Sequence, residues 1–229
     1  MSEAAADHPK PAKWRLSLIF AALAALAFLP QPALDLAASG LFYRADGGFW
    51  LRDTWPMRAV YHGTHWFSIA IIVSLLLALV TTWLPRAVIN AAPWRRRLAW
   101  TLFAIALGPG LFVHTVLKDH WGRPRPSQIA EFGGNGHYVH PGAISTQCSK
   151  NCSFVSGHAA SGYGLIALGL LWPARRRRWT VIGIIAGCAI GAVRIIQGGH
   201  FISDVIGSLI VVWATVLWVE QLARTRHTA

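Results

Sequence analysis

Residues 66–84 read WFSIAIIVSLLLALVTTWL, nineteen residues without a single charge. A helix needs roughly 20 apolar residues to cross the hydrocarbon core of a bilayer, so this stretch reads as a membrane span and sets the solvent for the rest of the chain. Five further runs have comparable length: Trp14 to Pro32, closed by two prolines; Leu98 to Leu117; Phe154 to Trp172, weaker because its first turn is Ser-Gly-His; Trp179 to Ile196; and Phe201 to Val219. No small-residue cleavage site follows the first run and five spans come after it, which argues against a removable signal peptide. The expected fold is therefore all-α: a polytopic membrane protein of six transmembrane helices forming one membrane-embedded domain over residues 1–229, with a cytoplasmic arm at 1–13 and a cytoplasmic tail at 220–229.

Composition agrees with that reading. Of 229 residues, 54% are apolar and 13% charged, about half the charged share of an ordinary soluble domain. Twelve Trp, ten Phe and four Tyr exclude a disordered chain, which could not leave that aromatic surface in water. The net charge of +12 raises the question of a nucleic-acid partner, but its distribution answers it differently. Lys10, Lys13 and Arg15, then Arg86 and Arg95 to Arg97, then Arg175 to Arg178, then Arg224 and Arg226 together hold thirteen of the 21 cations. With six spans these four segments share one side, and Lys and Arg in short loops are retained in the cytoplasm. Both termini are thus expected in the cytoplasm, and no nucleic-acid partner is expected.

The opposite face carries residues 33–65, 118–153 and 197–200. The first of these mixes Phe42, Tyr43, Phe49, Trp50 and Trp55 with Arg44, Asp46, Arg52, Asp53 and Arg58, as expected of short interfacial helices. The second is too long to be a plain helix connection and is expected to be functional. Lys118, Arg194 and Asp204 sit at or inside the ends of spans, where ionisable groups are costly and usually face a polar cavity. A phosphate site explains them together. Lys118, Arg125 and Arg194 supply cations, and a guanidinium grips two phosphate oxygens at once. Ser156-Gly157-His158 opens a span, offering backbone N–H groups and a hydroxyl. His200 and Asp204 are four apart, on one helix face, so a carboxylate can keep one imidazole nitrogen protonated and leave the other to attack phosphorus, while His158 protonates the departing oxygen. His62, His65, His114, His137 and His140 are read as ordinary interface or loop residues. Cys148 and Cys152, on the outer side, read more naturally as a local disulfide than as half of a zinc site, and Cys188 as a small apolar filler.

These residues fall in three ordered motifs: Lys118 through Arg125-Pro126 in KDHWGRPRP, Val155-Ser156-Gly157-His158, and Val193-Arg194 through His200 to Asp204 in VRIIQGGHFISD. In pattern and spacing they resemble the type-2 phosphatidic acid phosphatase superfamily of membrane lipid phosphatases. The resemblance implies a six-helix bundle with an outward-facing site, a phosphohistidine on His200 oriented by Asp204, His158 as general acid, and phosphate bound by Lys118, Arg125, Ser156, Gly157 and Arg194, without a metal or other cofactor. Val155 stands where the family has proline and Val193 where it has serine, the second removing a possible hydroxyl contact to phosphate. Arg123, in the duplicated Arg-Pro, is read as an additional headgroup contact.

The expected function is hydrolysis of a lipid phosphate monoester or pyrophosphate on the periplasmic face of the bacterial inner membrane, with lipid A as substrate. Undecaprenyl pyrophosphate or phosphatidylglycerophosphate hydrolysis, lipid phosphotransfer, and a non-catalytic anionic-lipid binder or transporter are the alternatives. Lipid A is favoured by the outer segment from Phe132 to Cys152, which resembles that of lipid A phosphatases and offers His137, His140 and Lys150 to a multiply charged sugar headgroup.

Overall fold

Helices dominate the computed structural model, which describes residues 32–84 and 91–225. The first apolar run up to residue 31, and the cations at 10, 13, 15, 86 and 226, lie outside the described residues. In chain order the elements are α1 (Pro32–Gly40), the two-residue strands β1 (Tyr43–Arg44) and β2 (Gly48–Phe49), α2 (Trp55–Thr81), α3 (Ala91–His120), α4 (Gly157–Tyr163), α5 (Arg176–Ile196) and α6 (Ile202–Thr225). Four of them, α2, α3, α5 with its preceding turn, and α6, are long and apolar enough to cross a membrane.

The fourth apolar run departs from the expected full-length span. It forms α4 and continues as a 3-10 stretch over Gly164–Leu170. Nearly every side chain in it is buried, packed among α3, α5 and α6. The segment ahead of α2 also differs from a row of short helices. Only residues 32–40 are helical; 43–49 fold back as an antiparallel hairpin through Gly47 and Gly48, the latter at φ 65°, which a side chain would resist. Helix α2 then begins at Trp55 with Pro56 in its first turn, where a missing N–H costs nothing.

Within α3, Pro109 removes a donor and crowds the preceding turn. The chain answers by widening into a π-helix over Ala106–Leu117, and Gly108 lets it lie against Thr215 of α6. On α5, Gly183, Gly187 and Gly191 form a stripe spaced four apart, the small-residue device that lets membrane helices approach closely. A Cβ at Gly187 would sit 2.1 Å from the Tyr163 ring, and one at Gly191 would sit 2.4 Å from Val205. The core behind the site joins Val113, Phe154, Val155, Tyr163, Val205 and Val212, whereas α2 leaves Trp66, Phe67, Leu76, Leu77 and Val80 exposed for lipid to cover.

This packing sets the polarity of the bundle. The motif residues gather at the C-terminal ends of α3 and α5 and the N-terminal ends of α4 and α6, while Arg95 to Arg97, Arg175 to Arg178 and Arg224 lie at the other ends of their helices. Because α4 can reach α5 only through the glycine stripe, Gly187→Leu is expected to destabilise the protein by about 1–3 kcal/mol through overpacking. Thermal unfolding of the detergent-solubilised protein checks this.

Candidate active site

The main chain from Asn151 to Ser153 is laced to the end of α3 and the turn after it: Cys152 N donates to the Lys118 carbonyl at 3.0 Å and Ser153 N to the Arg123 carbonyl at 2.8 Å. The Asn151 side-chain carbonyl accepts from Lys118 Nζ, and its main-chain carbonyl accepts from Arg125 Nη2 at 2.7 Å. One residue therefore fixes both cations of the first motif. It adopts φ 54°, a conformation asparagine tolerates, inside a short ring closed by the Cys148–Cys152 disulfide. Arg194, 7% exposed, is placed by Gln197, whose Oε1 accepts from Nη1; its Nε has no partner among the described residues. Ser156 caps α4 by accepting from Ala159 N, leaving its own O–H to donate elsewhere. Gly157 lies so close to the His114 ring that a Cβ there would be 2.5 Å from Cε1.

His200 is 1% exposed. Its Nδ1 lies 2.7 Å from the Ser153 carbonyl. A carbonyl only accepts, so Nδ1 carries the proton and the lone pair is left on Nε2. Among the described residues Nε2 is buried without a hydrogen-bond partner. Burial, opposed by Asp204 and reinforced by Arg194 and Lys118, pushes the imidazole down to about 4, so it is neutral near pH 7. Asp204 was expected to hold Nδ1 itself, but its Oδ2 is 3.6 Å away. That oxygen instead accepts from the Ser153 hydroxyl at 2.5 Å and from Phe201 N at 2.8 Å. The carboxylate thus orients His200 through Ser153 and through the turn that begins α6. Ser153 carried no sequence signal of this role, since what it supplies to the imidazole is a backbone oxygen.

The expectation for Arg123 is corrected. Its side chain is fully buried and cannot meet a headgroup. Nη1 donates to Asp204 Oδ1 and to Ser203 Oγ, Nη2 to Asp35 Oδ2 at 2.7 Å and to Tyr138 Oη at 3.2 Å, and Nε to the Val139 carbonyl at 2.8 Å. All five guanidinium donors are satisfied. Burial works against the charge, yet Asp204 and Asp35 outweigh it and raise the guanidinium above its ordinary value. Asp35 also accepts from Ser203 N and from the hydroxyls of Ser203 and Tyr138. Its sequence context, an Asp just past an apolar run, was a signal of the kind that singled out Asp204.

Tyr61 of α2 stacks on His158 with ring centroids 4.5 Å apart, and the Arg194 guanidinium lies 4.8 Å from the same ring. His158 in turn neighbours Arg194, His200 and Lys118. His114 and His65, read as ordinary interface residues, both line a cavity of about 470 Å³ that ends at Gly157 and His158. His137 and Lys150 are exposed, and His140 is engaged with Gly142 N within its own turn. Cys188 is not a core filler: it is exposed on α5, with its sulfur 3.5 Å from the Tyr163 hydroxyl.

Two imidazoles, three basic side chains and a carboxylate at one end of a helical bundle match a phosphate-transfer site, and the PAP2 superfamily model matches residues 97–227. The chain belongs to the PAP2 superfamily. It is a membrane lipid phosphatase. It is 34% identical over 219 residues to the lipid A 4'-phosphatase of Francisella tularensis subsp. novicida, covering 89% of this chain and 92% of that protein. It is 34% identical to the lipid A 4'-phosphatase of Rhizobium etli, covering 94% and 87%. Similarity to phosphatidylglycerophosphatase B of Escherichia coli, 32% over 74 residues, spans 31% of this chain and 29% of that protein. The fold is shared with the transmembrane PAP2 type phosphatidylglycerolphosphate phosphatase from Bacillus subtilis, with TM-score 0.51 and 19% identity over 92% of this chain and 96% of that one. Asp35 and Tyr61 lie outside the segment that the PAP2 model matches.

Arg123 and Arg125, two residues apart, are expected to behave oppositely. Arg123→Ala leaves two buried carboxylates unpaired and should cost about 3–5 kcal/mol in thermal unfolding, whereas Arg125→Ala should lower phosphate release with far less loss of stability. A second expectation concerns pH. An unfolded His200 binds a proton below about 6.5, while the folded one does so only near 4. Stability from this residue is therefore lost as pH falls from about 6.5 towards 4. Between pH 7 and 5 the unfolding temperature of the unmodified protein should drop more than that of His200→Gln.

Proposed function

We propose that this phosphatase hydrolyses the phosphate of a lipid A type glycolipid through a phosphohistidine on His200. The observation that carries the mechanism is the buried Nε2, without a hydrogen-bond partner among the described residues, of an imidazole whose other nitrogen is committed to the Ser153 carbonyl. In the proposed reaction Lys118, Arg125 and Arg194, with the Ser156 hydroxyl and the Gly157 N–H, hold the phosphoryl oxygens and neutralise charge as the group transfers. Nε2 attacks phosphorus, the P–N bond forms as the P–O bond breaks, and His158 protonates the departing alcohol oxygen. The phosphate's own negative charge offsets the cations around His158 and favours its protonated form. His158, now neutral, takes a proton from water as that water attacks phosphorus, releasing phosphate and returning the lone pair to Nε2. Ser153 and Asp204 stabilise the positive imidazole between the two steps.

Two observations support a lipid substrate of this class. The cavity ending at His158 is walled by Ile69, Ile72, Leu76, Leu102 and Ile105, a surface for acyl chains. The relatives aligned over nearly the whole chain are lipid A 4'-phosphatases, whereas the match to phosphatidylglycerophosphatase B covers under a third. We place the chain as one domain with six spans, the run before residue 32 and the α4 segment completing the four long helices, with both termini in the cytoplasm of a bacterial inner membrane and the site facing the periplasm. Clustering of the arginines at the end opposite the motifs supports this orientation.

Purified protein is expected to release phosphate faster from lipid A than from undecaprenyl pyrophosphate or phosphatidylglycerophosphate; lipid A ranking last overturns the substrate assignment. His200→Ala should abolish both turnover and acid-labile phosphoenzyme, while His158→Ala should lose turnover and retain phosphoenzyme on substrates with good leaving groups.

A further inference from the structure

Hydrolysis of a single phosphate leaves one feature of the molecule unused. A polar cavity of about 430 Å³ lies beside Arg125 and Arg194 and is walled by Arg52, Asp53 and Arg58, from the connection between β2 and α2 and the first turn of that helix. A phosphate monoester carries at most two negative charges, and Lys118, Arg125 and Arg194 already face it with three positive ones. Arg52 and Arg58 add two more, with only Asp53 of opposite sign in the wall. Among the described residues neither arginine forms an ion pair. Arg52 is also close enough for its charge to act on both Arg125 and Arg194. An anion bound among these like charges would meet attraction from each of them.

The cavity is built rather than incidental. Gln197 accepts from Arg194 through Oε1 and donates through Nε2 to the Arg52 carbonyl at 3.1 Å, which ties the outer segment to the phosphate cations. Buried Arg194 lines the cavity, and its Nε has no hydrogen-bond partner among the described residues. None of His137, His140 and Lys150, the residues that the sequence suggested for headgroup recognition, lines it.

We infer that this cavity is a second anion subsite, in which Arg52 and Arg58 hold an acidic group carried by the substrate headgroup beside the scissile phosphate. The inference rests on the phosphatase reading and specifies its headgroup: the second acidic group is the inner phosphoryl of a pyrophosphate, which departs with the lipid when the outer one is transferred, or the carboxylate of an acidic sugar. Both would meet the same guanidinium pair, which suits planar or tetrahedral oxyanions alike.

Matched substrate pairs in nonionic detergent test it. One pair is diacylglycerol pyrophosphate and phosphatidate; the other is lipid A with and without an attached carboxylated sugar. In at least one pair the doubly acidic member should have the higher kcat/KM, and the Arg52→Gln/Arg58→Gln double variant should lower that ratio about tenfold, the equivalent of roughly 1.4 kcal/mol. The pair that responds identifies the source of the second acid. Ratios unchanged by the substitutions in both pairs overturn the subsite, including the case where both members of a pair fall together. Stimulation of phosphatidate hydrolysis by added phosphatidylglycerol that depends on these arginines also overturns it, since the cavity would then serve bilayer lipid. Failure on lipid A with normal turnover of the diacylglycerol pair overturns the lipid A reading alone, and the subsite is then judged from that pair.

Discussion

Arg123 sits with both faces of its charge answered, by Asp35 on one side and Asp204 on the other, and the geometry of the site is hung from that contact. Through it residues 35, 123, 138, 139 and 203 to 204 meet at one buried point. The consequence for chemistry is indirect but exact in direction: Asp204 fixed by Arg123 fixes Ser153 and Phe201 N, and these fix His200 on either side. A buried ion triad is poor evidence for stability in itself, because desolvation offsets most of its Coulombic gain. What it supplies here is registry. Each carboxylate is useful only if the guanidinium sits between them, so the helix start bearing His200 has one place to be.

The bilayer sets the complementary constraint. Outward-facing side chains on α2 gain nothing by packing inward, so polar groups collect where helix ends converge and backbone groups would otherwise be unpaired. That is why the motif residues come from loops and terminal turns while the helices between them carry glycine stripes and β-branched filler. It also explains why the aromatic Tyr61, on the lipid-exposed α2, faces His158 and Arg194: its ring offers them a flat apolar surface with a polar tip.

Sequence alone carried the strong periodic signals. Long apolar runs became α2, α3, α5 and α6, and the motif spacings brought Lys118, Arg125, Arg194, His158, His200 and Asp204 to one end. Reading failed where length and burial part company. The run from 154 to 172 is long and apolar although weakened by Ser156-Gly157-His158, but it is surrounded by protein, and a helix with that many neighbours need not be long. Arg123 was misjudged because residues two apart in an extended segment share a face, so the repeated Arg-Pro reads as one cation patch, whereas Arg123 is drawn inward by Asp35 and Asp204, 88 and 81 residues away. Asp35 was visible as an acid beside an apolar run, but its partner Ser203 lies 168 residues away; Asn151 and Ser153 were invisible, because their roles depend on partners 26 to 51 residues away or on backbone atoms that every residue possesses.

The two cavities make the site directional. One is walled by aliphatic side chains and ends at His158; the other is walled by arginines and adjoins Arg125 and Arg194. Tyr61 borders the polar one and stacks on the histidine that ends the apolar one, so it marks the boundary between them. An amphiphile entering such a site has one favourable orientation, with its chains in the apolar cavity and its charge over the arginines. Transfer energies enforce the choice: each buried methylene contributes about 0.8 kcal/mol, while an anion in the apolar cavity would lack partners. A soluble phosphate ester can occupy the cations but lacks the acyl chains that would seat it in the apolar cavity. Selectivity for lipid substrates thus follows from the division between the cavities, before any contact specific to one headgroup is made.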